Sequence, residues 1–297
     1  MLKTVLLTTR PQFLLLSLSV VLLGSAIAFY QGADWSTQLF VLILFGAVLS
    51  HAAVNMLNEY QDFTSGLDAI TDRTPFSGGS GALPNHPEAV GAVFKTLVLV
   101  IGMLVILGAY FIKLKGWAIL PLGLIGLLVI LTYTSKITRY PWVCLIAPGL
   151  AFGPLMVLGT YFVWAGGFSW LAFTLSLVPF FLVNNLLLLN QIPDLAADKT
   201  IGRFNIIMKL GIKPSLTIFI AFTLFAFSAL VLAQLAFDLP HLVWLGLIGG
   251  LIALPMLKIS LDAAENVDKL MPALGMNVII NLLTPVLIAL GLIWSIW

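Results

Sequence analysis

Two short acidic patterns stand at the ends of long apolar runs in this chain. The first is Asn58-x-x-x-Asp62, followed by Gly66, Asp68 and Arg73; the second is Asn190-x-x-x-Asp194, followed by Asp198, Gly202 and Arg203. A carboxylate beside hydrocarbon is costly and rarely sits there without a role. His51, Asn55, Asn58 and Asp62 recur at helical spacing, as do Asn190, Asp194 and Asp198, so each set lines one helix face. Pro193 is placed to kink or end the second helix. Two such stripes running to the same side of a membrane line a cavity open to that side. Oxygen ligands of this kind suit Mg²⁺, which keeps several waters and bridges a few carboxylates to substrate phosphates. The expected chemistry is that of a metal-diphosphate site, and no imidazole- or thiolate-rich set points to a transition metal.

The surrounding residues divide by their alternatives. Arg73, Lys136, Arg139, Lys199 and Arg203 lie on the acidic side, where Arg grips phosphate oxygens in pairs and Lys acts as a point charge. The positive-inside bias alone would also place them there. Arg73, Lys136, Lys199 and Arg203 are the stronger ligand candidates, and Lys209, Lys213, Lys258 and Lys269 are read as topogenic. Asp68 and Asp72 are as well explained by the water interface as by function. His51 is read as a hydrogen-bonded interior residue. Glu59 points about 100° away from Asn58, toward the following loop. Asp262, Glu265 and Asp268 form a solvated helix start or loop. Ser77-Gly-Gly-Ser80-Gly81 is a turn-rich connector that is also able to present backbone N–H groups to an anion.

The elements that must position these groups are membrane helices. The chain has 297 residues, 61% hydrophobic and 9% charged, far from soluble composition. Apolar runs near the ~20 residues needed to cross a bilayer recur at 12–30, 37–57, 89–112, 116–134, 141–164, 169–191, 212–236, 240–259 and 272–296. Lipid leaves no partner for open backbone groups, so the runs are expected as helices, and the absence of strand alternation argues against a barrel. The first run carries signal-peptide features, but it is long enough to be a retained span. The fold class expected is all-α integral membrane, a single domain over 1–297 with nine transmembrane helices around a central cavity. With the N-terminus in the cytoplasm, twelve of the fourteen Lys and Arg fall on the cytoplasmic side and only Lys113 and Lys115 opposite. That asymmetry places the N-terminus and both acidic loops in the cytoplasm and the C-terminus outside. The single cysteine, Cys144, excludes an internal disulfide. In a prokaryote the location is the inner or plasma membrane, and no nucleic-acid partner is expected.

At NMLNEYQDFTSGLD (55–68) and NQIPDLAADKTIGR (190–203) the chain resembles the UbiA superfamily of intramembrane prenyltransferases. TRPQF at 9–13, YTSK at 133–136 and FGPLMVLGTYFV at 152–163 support the likeness, which runs over essentially the whole chain. The resemblance implies a nine-helix bundle whose acidic motifs bind two Mg²⁺ ions and an isoprenoid diphosphate at the cytoplasmic mouth. Asn58 and Asp62 would serve one ion, and Asp194 and Asp198 the other. Arg73 and Lys199 would assist the leaving diphosphate, with Asp68, Tyr133, Lys136, Arg139, Asn190 and Arg203 as further substrate ligands. Many members carry a third acid where this chain has Gly66, with Asp68 next. That form resembles the menaquinone-type branch, whose acceptor is a hydroxylated naphthoate.

The implied reaction is Mg-dependent transfer of a polyprenyl group to an aromatic acceptor. Two alternatives stand beside it: a transferase with another aromatic or lipid acceptor, and a secondary transporter using the acids to couple ions. Transporters place such acids near the midplane on broken helices, commonly in inverted repeats. Here they sit at helix ends, and the two copies are separated by four spans, which makes the repeat parallel.

Overall fold

The structure is a computed structural model and describes residues 1–263 and 266–294. It is all helical among the described residues. A short helix, α1 (Leu2–Thr8), precedes nine apolar rods. These are α2 (Pro11–Tyr30), α3 (Thr37–Thr64), α4 (Pro87–Lys115), α5 (Trp117–Thr132), α6 (Pro141–Ala165), α7 (Trp170–Thr200), α8 (Ile212–Phe237), α9 (His241–Ala263) and α10 (Val267–Trp294). Eight are long and apolar enough to cross a membrane, and α5 is shorter. At ~1.5 Å per residue α5 reaches about 24 Å, less than the ~30 Å hydrocarbon core. Gly116 starts it with a positive φ of 86° and the chain leaves it at Tyr133, so the ninth expected span is present as a short rod.

The rods form a closed ring. α2 packs on α3, α3 on α4 and α5, α5 on α6, α6 on α7, α7 on α8, α8 on α9 and α9 on α10, which returns to α2. Lipid gives no hydrophobic drive between helices, so small residues and interhelical hydrogen bonds hold such a bundle. Gly149 and Gly153 let α6 lie directly on the backbone of α7: a Cβ at Gly153 would stand 2.6 Å from the Ser176 carbonyl oxygen. Asn184 on α7 accepts from the Gly149 N–H at 2.6 Å. Asn185 donates to Phe219 O and Thr223 Oγ1 of α8, while Asn277 and Asn281 of α10 donate to Asn185 O and Leu182 O.

Two rods run further than their apolar stretches. α3 continues to Thr64 and α7 to Thr200. Pro193 does not end α7; the helix passes through it and carries both Asp194 and Asp198. The segment that follows α3 doubles back over the bundle end through a 3₁₀ turn at Leu67–Ala69 and the glycine-rich stretch 77–81.

Candidate active site

The extended ends of α3 and α7 face each other across a cavity of about 200 Å³. Asn58 and Asp62 line it from α3, and Asn190, Asp194 and Asp198 from α7. Asp68, Ser77, Gly78 and Gly79 line it from the segment above α3, Tyr133 and Thr138 from beyond α5, Arg203 and Asn205 from beyond α7, and Asn281 from α10. Four carboxylates thus line one cavity with two guanidiniums, Arg10 and Arg203. Such an excess of negative charge in a poorly solvated place calls for cations.

Arg203 spans the two acidic motifs. Its Nη1 donates to Asp198 Oδ1 at 2.8 Å and its Nη2 to Asp62 Oδ1. Burial works against the charged guanidinium, but Asp62 and Asp198 hold it above its ordinary pKa. Arg10 anchors the α3 side. It sits in a left-handed conformation just before α2, with Nε on Glu59 Oε1 and Nη2 on Asn58 Oδ1, both at 2.8 Å. Glu59 is 1% exposed and turns to the loop, as its angular position on α3 predicts. Its Oε1 also accepts from the Ser80 N–H at 2.7 Å, and its Oε2 from the Ser80 hydroxyl at 2.6 Å. One buried carboxylate therefore ties Arg10 to the glycine-rich stretch. Gly79 is required there: its φ is +78°, and a Cβ would stand 3.3 Å from both Asp68 Oδ1 and Glu59 Oε1. The neighbouring Ser77 hydroxyl and Gly78 N–H reach Asp194. Burial, with Glu59 and Asp62 nearby, raises Asp68 to about 7 against the pull of Arg73 and Arg10.

Of the basic residues expected at the site, Arg203 alone lines the cavity. Arg73 donates to the carbonyl oxygen of Asp68 and braces its own loop from the exposed side. Lys136, Arg139 and Lys199 are exposed and outside the lining. Arg10 and the Glu59 clamp do not stand out by spacing; their visible signal is an arginine before proline at the membrane mouth. His51 is buried and bonded to Ser17, Nδ1 to Oγ at 3.0 Å, and also faces the cavity. Asp262 and Asp268 are exposed, and Glu265 lies outside the described residues. Cys144 is buried and free.

A second, apolar hollow of about 430 Å³ lies between α3, α4, α5 and α6. The residues common to both linings are His51 and Phe152, with ring centroids 4.7 Å apart. The acidic mouth and a hydrocarbon-like groove thus adjoin at one imidazole and one phenyl ring.

A multi-pass helical membrane protein with an anion-and-cation mouth joined to an apolar groove is built for a molecule polar at one end and oily along its length. The UbiA prenyltransferase family model matches residues 17–279, and the chain belongs to that family; it is a membrane prenyltransferase. It is 30% identical over 217 residues to the 1,4-dihydroxy-2-naphthoate octaprenyltransferase of Bacillus subtilis, covering 72% of this chain and 68% of that one. It is 28% identical over 242 residues to UbiA prenyltransferase domain-containing protein 1 of Dictyostelium discoideum, covering 79% and 72%. Among solved structures, a UbiA homologue from Archaeoglobus fulgidus bound to GPP and Mg²⁺ superposes with a TM-score of 0.66 at 16% identity, over 96% of this chain and 99% of that one. A digeranylgeranylglyceryl phosphate synthase superposes at 0.70 and 18%, over 99% of each. Family membership removes the transporter alternative.

Proposed function

We propose that this protein transfers a polyprenyl group from an isoprenoid diphosphate to a hydroxylated naphthoate, as in menaquinone-type quinone synthesis. The observation that carries the transfer is the junction of the acidic mouth with the apolar groove at His51 and Phe152. The diphosphate takes the mouth and the prenyl chain takes the groove. The naphthoate acceptor is favoured by the names of the Bacillus subtilis and Escherichia coli relatives and by the Gly66-x-Asp68 form of the first motif.

The donor set fits Mg²⁺. It is all oxygen, and Asp194 Oδ1 and Asp68 Oδ2 are buried without hydrogen-bond partners. Among the described residues no three acid, imidazole or thiolate groups converge into a metal cage by themselves. Mg²⁺ needs no such cage, because one or two carboxylates and the substrate's phosphates suffice. Asn58 and Asp62 would hold one ion, and Asp194 and Asp198 a second, on the cytoplasmic side. When bound, the ions neutralise the leaving diphosphate as its C–O bond breaks.

The chain's own residues do the rest. Arg203 and Arg10 supply charge-assisted donors to the diphosphate oxygens. Asn190 and Tyr133 line the path between head and chain. Glu59 holds Arg10 and the 77–81 stretch in place before substrate arrives, and this preorganisation lowers the cost of binding. Phe152 presents an aromatic ring where the allylic cation forms, and the groove excludes the water that would otherwise capture it.

The test is to give membranes containing the protein a labelled polyprenyl diphosphate with 1,4-dihydroxy-2-naphthoate or with 4-hydroxybenzoate. The expected product is the prenylated naphthoate. Prenylation of 4-hydroxybenzoate alone would overturn the acceptor class and leave the transfer standing; no product from either acceptor would overturn both.

A further inference from the structure

We propose that His51 is the proton acceptor of the reaction, taking the hydroxyl proton of the aromatic acceptor as its ring attacks the allylic carbon. This rests on the transfer to an aromatic acceptor proposed above and assigns the group that completes it. Three observations carry it. His51 and Phe152 are the residues that both hollows share, so His51 stands where the donor's polar head gives way to its chain. The imidazole is fixed from behind, Nδ1 to Ser17 Oγ at 3.0 Å, by a serine that is itself fully buried. Its Nε2 has no protein partner among the described residues, yet it is not one of the sealed, unpartnered atoms; it opens to the cavity.

The competing groups are already engaged. Away from the acidic mouth, the other proton-exchanging side chains lining the cavity are Tyr133 and Cys144. They lie side by side, and Cys144 Sγ accepts from Gln191 Nε2 at 3.4 Å. At the mouth, Asp62 and Asp198 are engaged with Arg203 and Asp194 with a proposed ion, while Asp68 stands on the segment beyond α3 at the diphosphate end of the cavity. Asp62 lies eleven residues beyond His51 on the same helix face, about 16 Å along the axis at ~1.5 Å per residue. That interval takes the diphosphate head and one aromatic ring in series.

With Nδ1–H donating to Ser17 Oγ, Nε2 presents a lone pair to the cavity. The acceptor's hydroxyl donates to it. As the C–O bond of the donor breaks, its electrons leave with the diphosphate. The ring carbon beside the hydroxyl forms the new C–C bond, and the O–H electron pair becomes the second C–O bond of a ring carbonyl. The proton moves to Nε2 and passes to the departing diphosphate, which restores the imidazole.

The experiment uses purified full-length protein in nanodiscs with Mg²⁺, a polyprenyl diphosphate and 1,4-dihydroxy-2-naphthoate. Prenylated product and the acceptor-independent release of prenol are measured separately. In His51→Gln, which keeps a polar side chain but accepts no proton, prenylated product is expected to fall roughly 10²–10³-fold in kcat, the range of general acid–base catalysis. The KM values and the release of prenol should stay within about threefold of the wild type, a window far below that catalytic range. Ser17→Ala, which leaves the imidazole but frees its orientation, is expected to lose about tenfold, the lower edge of such effects. Transfer within threefold of wild type in His51→Gln would overturn the assignment. A parallel fall of transfer and prenol release would do so too, because it marks a donor-side or structural role. A wild-type protein that prenylates no aromatic ring overturns the proposed function itself, and His51 falls with it.

Discussion

Glu59 shows what residue spacing reveals and what it hides. Its position off the Asn58–Asp62 face directs it to the loop, but its partners Arg10 and Ser80 are distant in sequence, and nothing in the spacing pairs them. The acids, by contrast, were legible because a carboxylate at the end of an apolar run is too costly to stand there idle. Glu59→Gln replaces an acceptor of three donated hydrogen bonds with an amide that must turn its own donors toward one of them. The expected result is a rise of about tenfold in the KM for the donor, equivalent to ~1.4 kcal/mol, with the acceptor KM unchanged; steady-state kinetics with each substrate varied checks it. Asp68 carries a pH signature. Its carboxyl is raised from 3.8 to about 7, first by burial and then by Glu59 and Asp62. Between those values the folded protein binds more protons than the unfolded chain, so stability falls as pH rises through the window. Above it the full cost of an ionised buried carboxylate applies. Asp68→Asn should therefore raise the Tm over wild type by more at pH 8 than at pH 5, measured by thermal unfolding in detergent with EDTA present. An equal difference at both pH values would contradict the assignment.

Among the elements, the apolar runs anticipated the nine rods in number and order, since nothing but a helix satisfies its backbone in lipid. The sequence was least informative where polarity and helix part company. α3 and α7 continue past their apolar runs, and one side of each extension lines the cavity. Residues 151–158 of α6 form a π-helical stretch that contains Pro154 and presents Phe152 to the cavity; no periodicity announces it. Such stretches are frequent at functional sites. The α6–α7 seam depends on Gly153 for space rather than for backbone freedom. A leucine there would press on Ser176 O and Phe180 of α7. Gly153→Leu is expected to destabilise the bundle by about 1–3 kcal/mol, the usual cost of overpacking, and to lower transfer by shifting Phe152. A thermal shift assay in detergent reads the first effect, and an unchanged Tm would mean that the seam is looser than described.

At the scale of the whole molecule, motif order and span number allowed the ring to be anticipated, but its closure, α10 against α2, joins elements distant in sequence. The short α5 makes topology the informative test. The Lys and Arg asymmetry needs α5 to cross, which places the 66–81 segment in the cytoplasm and the C-terminal end of α10 outside. Reporter fusions in that segment and after the last residue are expected to report opposite sides. The same side for both would mean that α5 does not span and that the chain crosses an even number of times.

The central claim is that the facing acidic motifs activate a diphosphate through a metal. Its most direct measurement is product formation by purified protein from a polyprenyl diphosphate and 1,4-dihydroxy-2-naphthoate, with Mg²⁺, with EDTA, and with Mg²⁺ restored. Prenylated product is expected only where Mg²⁺ is free. Asp62→Ala and Asp194→Ala should each lose at least about a hundredfold, because each removes an oxygen ligand from the metal-diphosphate bridge, while Lys258→Ala stays near wild type. Full product in EDTA, or undiminished product from both aspartate variants, would contradict the claim.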